Sequence, residues 1–418
     1  MSTSLGSEID KANSKAVERV LAAEAVLTEI RPAGKAIPGF KPDLVTYAGP
    51  PIAWDRMIKP QRIAIVNVMV HEGLADNAKE AEKKANRGDV RLEHNHKLGN
   101  TSGMCGVTSA SLPVMVVRNK VHGNLAYNWQ QTDMTAFGDE YKRAIKEIVF
   151  VEKVLSPVMT AVLKEAGGYN VKEMLAKGLQ MGDELHGNFD ACRGIFLNWA
   201  LPYLPRTGFS KKVLAQVGDY FVSNQGRWYC GNMMMAGCKA MMDPARDIKH
   251  STVVVAMARN GVDFGIQVSG LGSEWYLGPA GVIKGFAFPG FKAEDSTLDV
   301  GDSAISETRG LGGTASAASP GHSRFVGKSW SDVIAHTNLM RQASVSEDPL
   351  FRIPYLDFRG VPVGLDIRRV LELQAPPKIN TAMCHKDGGH GMIGAGAADA
   401  PLEPFKNAVK SFVDKYGK

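Results

Sequence analysis

The residues that could do chemistry fall into two kinds, imidazoles in polar groups and anion-clamp motifs. Glu93-His94-Asn95-His96 would place both rings on one face of a strand, a spacing that some metal hydrolases use. No matching Asp or His ligand stands at a recognisable spacing, so the competing readings are a hydrogen-bonding or acid/base imidazole and a satisfied structural histidine. His122-Gly123-Asn124 and Asp183-Glu184-Leu185-His186-Gly187-Asn188 are similar concentrations of polar groups in apolar stretches. On a helix, Asp183 and His186 would share a face and the carboxylate would orient the ring; an interhelical polar contact is the alternative.

The anion-clamp motifs lie further along. Asp302-Ser303-Ala304-Ile305-Ser306-Glu307-Thr308-Arg309-Gly310-Leu311-Gly312-Gly313-Thr314 reads as a polar strand, a Gly-rich turn and the opening of a helix, whose free N–H groups would suit an anion. A tight turn between core elements is the alternative. Arg259-Asn260-Gly261-Val262-Asp263 puts a guanidinium beside an amide at a turn, a good carboxylate or phosphate clamp, unless Arg259 pairs with Asp263. Gly389-His390-Gly391-Met392-Ile393-Gly394 has the form of a dinucleotide loop, but the chain after it is too short for a dinucleotide-binding unit. Cys384 beside His385 suggests a thiolate nucleophile, although chain neighbours usually point apart.

The elements that must position these groups are legible as periodicity. AVLTEI, DLVTYAG, RIAIVNVMV, VRLEH and PVMVVRN read as β-rich runs after a helical start. Met174 to Trp199 holds helical spacing, and STVVVAMA, DFGIQVSG and GFAFPGF read as strands before a closing helix near 402–416. The expected class is α+β, with an N-terminal α/β domain over 1–139, a helical segment over 140–210 and a C-terminal α+β domain over 211–418.

The chain has 418 residues, 44% hydrophobic and 22% charged, with 49 basic and 43 acidic residues. That is an ordinary globular composition with room for two or three domains. The net charge of +6 is spread along the chain, which does not indicate a nucleic-acid groove but suits small anionic ligands. Five scattered cysteines, an acidic N-terminus without an apolar core and no long uncharged apolar run point to a reducing cytoplasm and no membrane anchor.

Taken together, IRPAGKAIPG, YAGPPIAWDRM, VHGNLAY, GDELHGN, ARNGVDFGIQVSGLG, DSAISETRGLGG and INTAMCHKDGGHGMIGAGAADAP resemble the bacterial family known as domain of unknown function 1116, of YlbE and YahG type. The resemblance runs from about residue 15 to about 415. One branch of that family is a subunit of oxamate carbamoyltransferase. This implies interconversion of carbamoyl phosphate plus oxamate with oxalurate plus phosphate in purine catabolism, with an FdrA-like subunit related to acyl-CoA synthetases and a small third subunit. It implies no metal and no cofactor, carbamoyl phosphate being a substrate, and a homo-oligomer is expected.

By the same resemblance His96, His122 and His186 are the acid/base or orienting candidates. Arg259, Asn260, Glu307, Gly310, Gly312, Gly313, Thr314 and Asn124 are the substrate-binding candidates. The chain departs from the family pattern at Leu98 and Thr101-Ser102-Gly103-Met104, where a Gly-Pro-Met turn and a second His are expected, and at Gln267, where Arg is expected. Losing a cation would change which acid or amide is accepted. Two other functions compete: a non-catalytic ligand-binding or scaffold subunit, and a metal-dependent amidase using His94 and His96.

Overall fold

The computed structural model describes residues 3–130, 141–325 and 329–417. It is a mixed α+β protein in which several small sheets are set around buried helices. No helix among the described residues is long and apolar enough to cross a membrane.

The first sheet has five strands in the order Asn100–Thr101, Leu125–Trp129, Pro113–Asn119, Ala25–Pro32, Tyr169–Asn170. Strand Pro113–Asn119 is buried almost throughout, because helices cover the sheet. Chief among them is Gly226–Met242, buried at every position but Arg227 and Trp228, which is what the Met-rich run becomes. Asn119 and Asn124 donate from their side-chain amides to Ala240 O at 3.0 and 3.1 Å and dock this helix onto the sheet.

A four-stranded sheet runs Tyr276–Pro279, Asp263–Val268, Val254–Asn260, Val300–Gly301, and a three-stranded one runs Lys284–Ala287, Met392–Asp399, Lys378–Cys384. The largest hydrophobic cluster draws on Val20, Leu175, Met233 and Phe351 alike, so one core joins distant parts of the chain. Asn13 on the first helix, Thr3–Ala22, ties that helix to the C-terminal half. Its amide donates to Thr252 Oγ1 at 2.9 Å and to Asp366 Oδ2 at 3.1 Å.

Three local readings are corrected. RIAIVNVMV lies in helix Lys59–His71, where Pro60 opens the first turn and Ala64, Ile65, Val68 and Met69 bury one face. The β-branched content misled because burial, not propensity, decides here. The helical spacing from Met174 to Trp199 is two helices, Val171–Gln180 and Asp190–Ala200, separated by a loop in which Gly182 and Leu185 have φ of 109° and 71°. The segment from Asp302 is a helical turn, Ile305–Thr308, followed by a 3₁₀ segment, Gly312–Ala318.

Candidate functional site

The loop between the two middle helices delivers His186 to a cavity of about 450 Å³. Asp183 is not its partner. That carboxylate accepts from Cys192 N at 2.7 Å and Ala191 N at 3.1 Å, holding the start of the next helix. Burial pushes its carboxyl up to about 6, with those two N–H groups opposing the shift.

His186 is held instead by Glu307. Nδ1 lies 2.8 and 2.9 Å from the two carboxylate oxygens and 3.1 Å from Ser306 Oγ, which itself donates to Glu307 Oε2 at 2.8 Å. Glu307 Oε1 also accepts from Gly313 N at 2.7 Å and Asn380 N at 3.2 Å. Burial acts to raise this carboxyl, but the imidazole, the Gly313 N–H and the Ser306 hydroxyl outweigh it and hold it below the usual carboxylate range. A carboxylate beside Nδ1 favours the tautomer protonated there and leaves Nε2 of this cavity-lining ring to accept a proton.

The Gly-rich turn serves this dyad. Gly312 N donates to Glu184 O at 2.7 Å, Gly313 N to Glu307, and the N–H groups of Gly310, Leu311 and Thr314 to carbonyls within the segment. The Thr314 hydroxyl donates to Leu311 O. The anion that this turn holds is therefore Glu307, and none of Gly310, Gly312, Gly313 or Thr314 lines the cavity. At Gly312, with φ of 58°, a Cβ would stand 2.2 Å from Glu307 Oε1, so only glycine leaves room for the carboxylate.

A second carboxylate shapes the same wall. Glu184 accepts from the N–H groups of His186 and Asn188 at 2.7 and 3.1 Å, and its Oε1 lies 3.2 Å from Nε2 of His322, which also lines the cavity. Arg227 and Trp228 line the same cavity, with the guanidinium carbon 5.4 Å from the indole centroid. Among the described residues Arg227 has no carboxylate partner, and its buried Nε has no hydrogen-bond acceptor. It is the one Lys or Arg among the described residues that line the cavity. The remaining lining includes Asn188, Asn232, Ser303 and Thr381 with apolar Met104, Met235, Phe288 and Met392.

Arg259 stands one bond behind this wall. It makes two hydrogen bonds to Asp299 at 2.7 and 2.8 Å, one to Gly301 O at 2.7 Å, and donates to the hydroxyls of Ser303 and Thr381 at 3.3 and 3.2 Å. Its ion-pair partner is thus Asp299, while Asp263 pairs with Arg56. Asn260 braces a hairpin, accepting from Val262 and Asp263 N–H and donating to Pro50 O.

His96 lies elsewhere in the interior, 3.4 Å from Asp302 Oδ1, and both it and His94 meet the edge of Trp275 with ring centroids 5.3 and 5.8 Å away. The strand ends at His94, so the two rings are set by a 3₁₀ turn, Asn95–Leu98, rather than by strand alternation. Burial drives the His94 pKa down to about 3, with His96 adding to the shift, and burial lowers His96 also. No group of three His, Cys, Asp or Glu among the described residues could hold a metal ion. His122 is exposed, with Nε2 3.0 Å from Arg19 O, and lies outside the cavity together with Asn124.

Sequence reasoning singled out His186 and Glu307 and missed that they are partners. It missed Arg227, Glu184 as an organiser, Ser306 and His322. The one available signal was an Arg-Trp pair opening a Gly- and Met-rich helix, where a charged residue is out of place.

A crystal structure of a conserved protein of unknown function from Enterococcus faecalis V583 superposes with a TM-score of 0.94 at 33% identity, covering 98% of this chain and 99% of that one. Among proteins of Escherichia coli (strain K12), the uncharacterized protein YahG is 38% identical over 99% of this chain and 88% of its own length. Oxamate carbamoyltransferase subunit AllG of the same strain is 35% identical over 98% of this chain and 99% of its own length. A family model described as oxamate carbamoyltransferase subunit AllG matches residues 90–303. Half the chain under that model and nearly all of it under these relatives carry one conclusion: the chain belongs to the AllG family.

Proposed function

We propose that this protein is the subunit of an oxamate carbamoyltransferase-type enzyme that holds a small anionic substrate, carbamoyl phosphate or an oxamate-like acid, in the cavity between His186 and Arg227. The observation that carries the reading is an acid/base dyad, His186 with Glu307, and on the same cavity Arg227, which has no carboxylate partner among the described residues. The named function of the AllG relative supplies the reaction class.

In that reaction the amide nitrogen of the acceptor attacks the carbamoyl carbon, and the bond from that carbon to the phosphate oxygen breaks. His186 Nε2 takes the proton from the attacking nitrogen, and Glu307 stabilises the imidazolium formed. Arg227 holds the leaving phosphate or the acceptor carboxylate. Ser303, whose hydroxyl accepts from Arg259, presents its O–H to the oxygen that gains charge at the carbamoyl carbon, while the Thr381 hydroxyl donates to Asp299. No step requires a metal. Companion subunits of FdrA-like and small type belong to the same proposal.

The test is phosphate release from carbamoyl phosphate in the presence of oxamate and a panel of small amides, with the purified chain alone and with its companions. Turnover abolished by His186→Ala in either setting supports the reading. Full turnover of that variant sinks it. Substrate binding to the chain with unchanged turnover in every variant of the cavity would make this a binding subunit whose chemistry sits on a companion.

A further inference from the structure

Cys105 and Cys384 lie 279 positions apart in the chain, yet their Sγ atoms are 3.8 Å from one another. Both side chains are buried, and all five cysteines are free thiols. The two belong to one small cluster with Met104, Val300 and Ala382, and Met392 packs against it. Those same four neighbours line the cavity, so the thiol pair lies directly behind its wall.

The backbone on each side is irregular at the sulfur. Cys105 has φ of 52°, a conformation that aims its side chain out of the regular path of the segment. Cys384 ends strand Lys378–Cys384 where the register against Met392–Asp399 slips. A disulfide bond of ~2.05 Å needs the sulfurs to close by a little under ~2 Å, a movement that rotation about the two Cα–Cβ bonds can share. The other thiols lack such a partner. Cys230 and Cys238 are eight positions apart on one helix, a separation of about 12 Å, and Cys192 Sγ faces Met174 O.

We propose that Cys105 and Cys384 form a reversible disulfide by exchange with a low-molecular-weight disulfide of the glutathione type. One of the two sulfurs displaces a thiol from the small disulfide and becomes a mixed disulfide. The other then attacks that protein sulfur and releases the second small thiol. The protein dithiol is oxidised by two electrons, the small disulfide is reduced to two thiols, and the two cysteine protons leave with them. The bond would tie the segment carrying Gly103 and Met104 to the strand carrying Thr381 and Ala382, fixing the width of the cavity between them.

The inference stands independently of the reaction proposed above, because its test counts sulfurs. The whole protein is incubated with excess oxidised glutathione in mildly alkaline buffer, acid-quenched, and its thiols are titrated after unfolding. The expected result is a fall from five thiols to three, reversed by dithiothreitol. Digestion without reductant should yield one peptide pair joined through Cys105 and Cys384. The Cys384→Ser variant should start with four thiols and form no bond between two protein sulfurs, ending with four thiols or with three and one glutathione adduct on Cys105. Five thiols surviving in the native protein, a glutathione adduct that never closes, or linkage through any other pair would overturn the proposal.

Discussion

His186 Nδ1 lies within 2.9 Å of both carboxylate oxygens of Glu307, although 121 positions separate the two residues in the chain. The carboxylate fixes the ring's orientation and its tautomer together. Replacing His186 by Ala should therefore lower turnover by about 10²- to 10⁴-fold, the usual worth of a positioned acid/base group. Glu307→Gln should lower kcat more than it changes KM, since the amide keeps the shape but can present its NH₂ group to Nδ1. Steady-state kinetics on both variants check this.

Arg227→Ala should weaken binding of inorganic phosphate about tenfold or more, the scale of one charge-assisted hydrogen bond of about 1.5–3 kcal/mol. Arg227→Lys should recover part of it. Isothermal titration with phosphate reads the effect, and affinity unchanged in Arg227→Ala would remove this residue from the anion site.

Arg259→Ala should behave differently. It leaves Asp299 buried without its partner, a loss of about 3–5 kcal/mol of stability for broken pairs of this kind. The expected outcome is a lower Tm and a shifted denaturant midpoint. An Arg259→Ala protein as stable as the native one, but unable to bind phosphate, would make Arg259 a direct ligand.

Gly312→Ala adds one methyl group and deletes no side chain. Its Cβ would stand 2.2 Å from Glu307 Oε1 in a backbone with φ of 58°. Activity should fall because the carboxylate must move away from His186, and stability should fall by about 1 kcal/mol or more from the strained φ. Native kinetics in this variant would count against the dyad as the catalytic group.

Stability should also depend on pH through His94. Its folded pKa is driven down to about 3, so between the unfolded value of 6.5 and that figure only the unfolded chain takes up a proton. Stability is fully present above 6.5 and is lost as pH falls toward 3. Relative to His94→Gln, the native protein should lose about 2 kcal/mol between about pH 7.5 and about pH 5. Asp183, raised to about 6, acts in the opposite sense in part of that range, which is why the comparison is made against the variant. Parallel denaturant curves for the two proteins at the two pH values settle it.

Much of the strand content was legible because burial stamps a short period on the sequence. Ala25–Pro32, Pro113–Asn119, Asp263–Val268 and the closing helix Glu403–Tyr416 stand where periodicity puts them. Lys59–His71 was not legible, since Ile, Val and Met at helical spacing also make a continuous apolar run. The candidate site was half legible. His186 and Glu307 stand out as polar residues in apolar surroundings, but a contact across 121 positions leaves no mark in local spacing. Arg259 was read as a clamp because its partner, Asp299, is 40 positions away.

Glu307 draws its support from His186, Ser306, Gly313 and Asn380, and the last of these stands close to the end of the chain. A ribosome makes the imidazole long before it makes Asn380. During synthesis the dyad therefore stays incomplete until strand Lys378–Cys384 has emerged and docked, and a chain grown only as far as Thr314 carries both side chains of the dyad without the arrangement that would make it reactive.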